Sequence, residues 1–213
     1  MRRPTVLTAL RVTLGSLALL AGWPSAASAD QLIQVPTADR VTDPTFEYKR
    51  RLDEVSEGYG TALINAGLAY ELMFRYYDNE DGQHRIEGGG MLQLLPDGVI
   101  TPGVALGVWD LTNSSPWGRR GFLVLSKSLR PGQLGIPEGV ERVQLTLGLG
   151  TGRLSGVFAG VRVDVAERVS LIAEYDARRL NAGLWVTLLK PLTFKAELQN
   201  GNPYLGGELR LRF

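Results

Sequence analysis

Between Arg142 and Gln199 the chain changes from apolar to polar at almost every step, and this period of two constrains its fold more than any other feature. Val143, Leu145, Leu147 and Leu149 alternate with Arg142, Gln144, Thr146 and Gly148. Val157, Ala159, Val161, Val163 and Val165 oppose Phe158, Gly160, Arg162 and Asp164. The pattern continues with Val169, Leu171, Ala173 and Tyr175 against Ser170, Ile172, Glu174 and Asp176, then with Leu180, Ala182, Leu184, Val186 and Leu188 against Asn181, Gly183 and Thr187. Leu192, Phe194, Ala196 and Leu198 against Thr193, Lys195, Glu197 and Gln199 complete it. Successive strand side chains point to opposite faces, so this pattern builds a sheet with one apolar and one polar face. The breakers are short: Thr151-Gly152-Arg153, Ala166-Glu167, Ala177-Arg178-Arg179, Lys190-Pro191 and Asn200-Gly201-Asn202-Pro203. Links of that length join neighbouring strands into an up-and-down antiparallel meander.

Upstream the same rhythm is less regular. Leu68, Tyr70, Leu72, Phe74 and Tyr76 alternate with Glu71 and Arg75; a polar tip from Asp78 to Gln83 leads into Arg85 to Leu95; Pro96-Asp97-Gly98 leads into Val99 to Leu111. From Phe46 onward ten strands are clear, and Tyr59 to Asn65 and Leu32 to Val35 are candidates for two more. The expectation is an all-β antiparallel up-and-down transmembrane barrel of about 10–12 strands.

Alternation alone does not say which face is inside. A soluble periplasmic barrel holding a small apolar ligand would turn Leu147, Val161 and Leu184 inward, whereas a membrane barrel would turn them to lipid. Three features favour lipid. The segments beginning near 99, 119, 140, 155, 180 and 204 have about the 9–11 residues that a tilted strand needs to cross a bilayer. Arg2 and Arg3, the apolar run from Val6 to Leu20 and the small residues Ala27-Ser28-Ala29 read as a secretory signal peptide over 1–29, leaving a barrel domain over 30–213. The chain ends Tyr204-Leu205-Gly206-Gly207-Glu208-Leu209-Arg210-Leu211-Arg212-Phe213. Leu205, Leu209, Leu211 and Phe213 share a face there, which is similar, with Tyr204, to the signal by which the assembly machinery of the bacterial outer membrane takes up its clients. The expected location is therefore the cell outer membrane, with its lipids and the barrel assembly machinery as partners.

The stretches Leu32-Ile33-Gln34-Val35-Pro36-Thr37-Ala38-Asp39, Gly152-Arg153-Leu154-Ser155-Gly156-Val157-Phe158-Ala159-Gly160-Val161 and Leu171-Ile172-Ala173-Glu174-Tyr175-Asp176, with Asn181-Ala182-Gly183-Leu184, carry a resemblance to a known family. They resemble the YjbH-like outer-membrane β-barrels. The resemblance covers the start and the C-terminal third, and the middle only in strand rhythm. This chain is also much shorter than YjbH proteins proper. It implies a role in exopolysaccharide production or secretion, with polysaccharide export components as partners.

The composition removes several chemistries. With no Cys and one His, neither thiolate metal sites nor thiol nucleophiles can be built, and a formal charge of +1 gives no basic stripe for nucleic acid. No cofactor, metal or enzymatic role is expected. His84 with Ser114, Ser115 or Ser126 has no spacing of a hydrolase, and Asp78-Asn79-Glu80-Asp81-Gly82 lacks the spacing of a calcium loop. The candidate functional set is instead Arg162, Asp164, Glu174, Asp176 and Asn181, expected to meet as a lumenal ladder that contacts a ligand or simply fills the barrel. Pro36, Thr37 and Ala38 are expected to turn the chain at the periplasmic mouth. Trp109 and Trp117 are expected in an interfacial girdle. Gly89, Gly121, Gly148, Gly150, Gly160, Gly183 and Gly206 are expected on the narrow inner face.

Overall fold

The computed structural model describes residues 31–53, 57–78, 84–114, 118–132 and 136–212. The signal segment 1–29, Ser115, Trp117, the tip residues 79–82 and Phe213 lie outside them. Twelve antiparallel strands form a closed barrel, each paired with its neighbours in sequence. They are β1 (Thr45–Arg51), β2 (Gly58–Asn65), β3 (Tyr70–Asp78), β4 (His84–Leu95), β5 (Gly103–Trp109) and β6 (Arg120–Leu129), then β7 (Val140–Gly150), β8 (Gly156–Val165), β9 (Val169–Tyr175), β10 (Leu180–Leu189), β11 (Leu192–Gln199) and β12 (Asn202–Arg210). The barrel closes where β1 meets β12, from Thr45 opposite Arg210 to Arg51 opposite Tyr204. Closure removes the unpaired edge that an open meander would leave. Of the two uncertain candidates, Tyr59–Asn65 belongs to β2, whereas Leu32–Val35 is not part of the wall.

The apolar face is the outer one. Leu145, Leu147 and Leu149 of β7 are exposed while Gln144 and Thr146 between them are buried; Leu171 of β9 is exposed and Ser170, Ile172 and Glu174 are buried. Phe46, Phe74, Leu123, Leu184, Phe194 and Leu205 extend the apolar surface around the wall. These exposed apolar positions are arranged by strand parity rather than scattered.

Up-and-down order defines two ends. The near end carries the start of β1, the end of β12 and the turns β2–β3, β4–β5, β6–β7, β8–β9 and β10–β11; the far end carries the others. Register shifts interrupt three pairings, β4 with β5 between Gln93 and Leu95, β7 with β8 between Val140 and Arg142, and β10 with β11 between Thr187 and Leu189. All three lie at the near end, where such irregularities bend a strand and tighten its twist.

The lumen is packed. Residues 31–41 enter it as an irregular segment, and Leu32, Ile33, Val35, Ala38 and Val41 are at most 2% exposed. They join Met73, Met91, Trp109, Phe122, Val124, Phe158, Ile172 and Trp185 of the wall, and Leu154 of the β7–β8 turn, in one apolar cluster. A second, hydrophobic core therefore sits inside the charged inner face of the barrel.

Candidate functional site

The inner segment has no neighbouring strand to satisfy its backbone, and buried N–H groups must find partners somewhere. The wall supplies them from side chains. The N–H groups of Ile33, Gln34 and Val35 donate to the Glu174 carboxylate on β9 at 2.9, 2.7 and 3.1 Å. Ala38 N–H donates to Ser126 Oγ on β6 at 2.8 Å, and Val41 N–H to Glu71 Oε2 on β3 at 2.8 Å. Amides return bonds from the wall: Gln93 Nε2 donates to the Ala38 carbonyl at 2.8 Å and Gln144 Nε2 to Asp39 at 2.6 Å. Glu174 stands one residue from the far end of β9, while Glu71 stands one residue from the near end of β3. The segment thus spans the lumen from its far half to its near mouth.

Its upper part is a tight reversal. Gln31 bridges Pro36, and Leu32 N–H donates to the Val35 carbonyl at 2.9 Å. Pro36 has no N–H to satisfy, which suits a residue buried between Val35 and Thr37. The reversal closes at Pro36, and Pro36, Thr37 and Ala38, expected at the periplasmic mouth, are buried within the lumen.

Glycines form the receiving surface. A Cβ on Gly160 would strike the Leu32 side chain, and one on Gly183 would lie 3.1 Å from Ile33 Cδ1. Gly107 and Gly148 give the same space to the rings of Phe122 and Phe158, and Gly206 to Lys49. Gly121 departs from the expected set: it lies between inward-facing Arg120 and Phe122 and therefore faces outward.

The five candidate polar residues do not form one ladder. Antiparallel register across the β8–β9 turn sets Asp164 opposite Ser170 and Glu174 opposite Gly160, which separates them along the barrel. Near the β8–β9 turn, Arg162 Nε donates to Asp164 at 2.7 Å, Arg142 Nε to the same carboxylate at 2.8 Å, and Arg162 Nη2 to Ser170 at 3.0 Å. In the far half, Asn181 Nδ2 donates to Glu174 at 2.8 Å and its Oδ1 accepts from Asn200 N–H at 2.8 Å. Asp176 lies past the end of β9, where its carboxylate caps the β9–β10 turn by accepting from the N–H groups of Arg178 and Arg179 at 3.1 and 2.8 Å.

A larger ionic network was not singled out in the sequence. Glu47 accepts from Lys49 at 2.9 Å and Lys195 at 2.6 Å; Lys49 also reaches Glu197 at 2.9 Å, and Lys195 reaches Glu208 at 2.7 Å. Trp185 links this network to the Arg162 group: its Nε1 donates to Glu197 at 2.7 Å, Lys195 Nζ lies 3.9 Å from its ring centre and Arg162 lies 5.1 Å from it. Across the lumen, Arg120 pairs with Glu87 at 2.5 Å, and Tyr77 donates to Glu87 at 2.8 Å. Trp109 packs there, 5.0 Å from the Phe122 ring and 5.3 Å from the Arg120 guanidinium, so it belongs to the lumen and not to an interfacial girdle. In the β7–β8 turn, burial pushes the Arg153 guanidinium below its usual range against the pull of Asp176, with Arg120 and Arg75 adding repulsion.

The assembly-signal residues divide by parity. Leu205 and Leu209 face outward, Tyr204 turns inward to within 6.2 Å of the Tyr59 ring, and Leu211 lies just past β12, its N–H donating to the Pro44 carbonyl at 2.9 Å. His84 stacks on Tyr76 at the outer rim, its Nδ1 2.6 Å from the Tyr76 hydroxyl, whereas Ser126 is buried in the lumen. Among the described residues no cluster of three or more His, Asp or Glu has the geometry of a metal site. No family model, curated protein or solved structure matches the chain.

Proposed function

We propose that this chain is an outer-membrane β-barrel protein whose lumen is sealed at rest by its own N-terminal segment, with a structural or narrow transport role. The observation that carries the reading is the inversion of polarity: a continuous apolar outer wall around an inner face of paired charges, with Leu147 52% and Leu184 41% exposed. In lipid that wall is solvated, and closure of the ladder from β1 to β12 leaves no open sheet edge. A soluble barrel for an apolar ligand would need the opposite arrangement, an apolar cavity lined by Leu147, Val161 and Leu184. The packed lumen also argues against a general diffusion pore, for which about sixteen strands are needed. The link to exopolysaccharide production or secretion rests on the resemblance to YjbH-like barrels.

The test is heat modifiability. The processed protein extracted in detergent should be β-rich by circular dichroism and should migrate differently on a gel when unheated than when boiled. A protein that is fully soluble without detergent after processing would overturn the reading. Adjacent genes for polysaccharide synthesis or export would support the pathway.

A further inference from the structure

We propose that residues 31–41 are a separable plug, a peptide ligand that the barrel carries on its own chain, and that the Glu174 carboxylate is the latch holding it in place. The contacts of the plug with the wall differ from those that hold the wall together. The barrel is closed by backbone ladders from β1 to β12, whereas the plug's N–H groups at Ile33, Gln34, Val35, Ala38 and Val41 are received by the side chains of Glu174, Ser126 and Glu71. Withdrawing the plug therefore breaks none of the wall's ladder hydrogen bonds. Its apolar contacts are likewise a fitted surface, with Leu32 against Gly160 and Ile33 against Gly183.

The latch is concentrated in one carboxylate. Glu47, Glu87, Asp164 and Glu208 are bound by Lys or Arg of the wall. The partners of Glu174 are neutral: three successive backbone N–H groups of the plug and the Asn181 amide. A carboxylate accepts all four bonds, because it has two oxygens and no hydrogen to place. Glu174→Gln preserves size but replaces one acceptor oxygen with an NH2 group that points a donor at donors. The lumen that the plug vacates belongs to a twelve-strand barrel, between the eight-strand size that side chains fill and the sixteen-strand size of open channels.

The chain has no Cys, so Val35→Cys is a unique thiol at a position 0% exposed. In the detergent-folded barrel a charged thiol reagent should label it slowly, and adding Glu174→Gln should raise the rate at least about tenfold while β content is unchanged, because charged hydrogen bonds to a buried acceptor are lost. In planar bilayers, a variant lacking residues 31–41 should conduct ions where the full chain does not. Equal labelling with and without Glu174→Gln would overturn the latch. A deletion variant that inserts without conducting, or that fails to form a barrel, would overturn the separable plug. The conductance arm rests on the outer-membrane reading and the labelling arm does not: a full chain that never inserts into lipid contradicts that reading alone.

Discussion

Single residues in this lumen do work that their types would not announce. Gly160 and Gly148 are conspicuous because each is opposed by a bulky group, Leu32 in one case and the Phe158 ring in the other. Overpacking such a contact typically costs about 1–3 kcal/mol. Gly148→Ala should therefore lower the denaturant midpoint of the folded barrel by a corresponding amount. Gly160→Ala should in addition expose Val35→Cys to labelling, since Leu32 belongs to the plug; unchanged stability and labelling would show that these contacts are slack. Lys195 is a second critical residue, 4% exposed and bound to Glu47 and Glu208. Removing one partner of a buried ionic group leaves the others uncompensated, at a cost of about 3–5 kcal/mol. Lys195→Ala should accordingly be clearly destabilising, measured by urea unfolding in micelles, and so should Lys195→Met, because either change leaves Glu47 with Lys49 alone and Glu208 with Arg210 alone, one cation short among these buried carboxylates.

At the scale of the element, most of the wall was legible because a strand with one polar and one apolar face writes its parity into the sequence. β7 to β11 follow that parity residue by residue, from Val143 to Gln199. The part that was not legible is the segment from Leu32 to Val41. Leu32 to Val35 alone reads as a short strand candidate and Pro36, Thr37 and Ala38 as a turn, because the structure of the segment is imposed by side-chain acceptors distant in sequence, from Glu71 to Glu174. A signal for it did exist on the inner faces of the strands: Phe122, Phe158, Ile172 and Trp185 are large and apolar at positions reserved for polar groups, and Gly160 and Gly183 leave space beside them. An inner face that is both bulky and hollow implies a third body to fill it. The separation of Arg162 and Asp164 from Glu174 was equally hidden, because it depends on the register that the β8–β9 turn sets. Parity also yields a sharp contrast between neighbours on β7. Leu147→Arg places a charge on the outer wall and in a bilayer should cost about 2–4 kcal/mol if the residue lies at mid-depth. In a water-facing wall the same change would be close to neutral, so the folding free energy of this variant in lipid vesicles separates the two environments.

For the whole molecule, two layers of organisation are nested. The outer one is a closed apolar cylinder of twelve strands, and the inner one is a polar and aromatic lining packed against the N-terminal segment. The two differ in how they are held: backbone ladders close the outer wall, whereas side chains of its inner face hold the segment that fills the lumen. Flotation tests the central claim, that the apolar face is a surface for lipid, most directly. The processed chain, refolded from urea in the presence of phospholipid vesicles and spun through a density gradient, should rise with the vesicles and retain a heat-modifiable gel mobility. Recovery of folded, monomeric protein in the dense aqueous fraction, free of lipid, would contradict it.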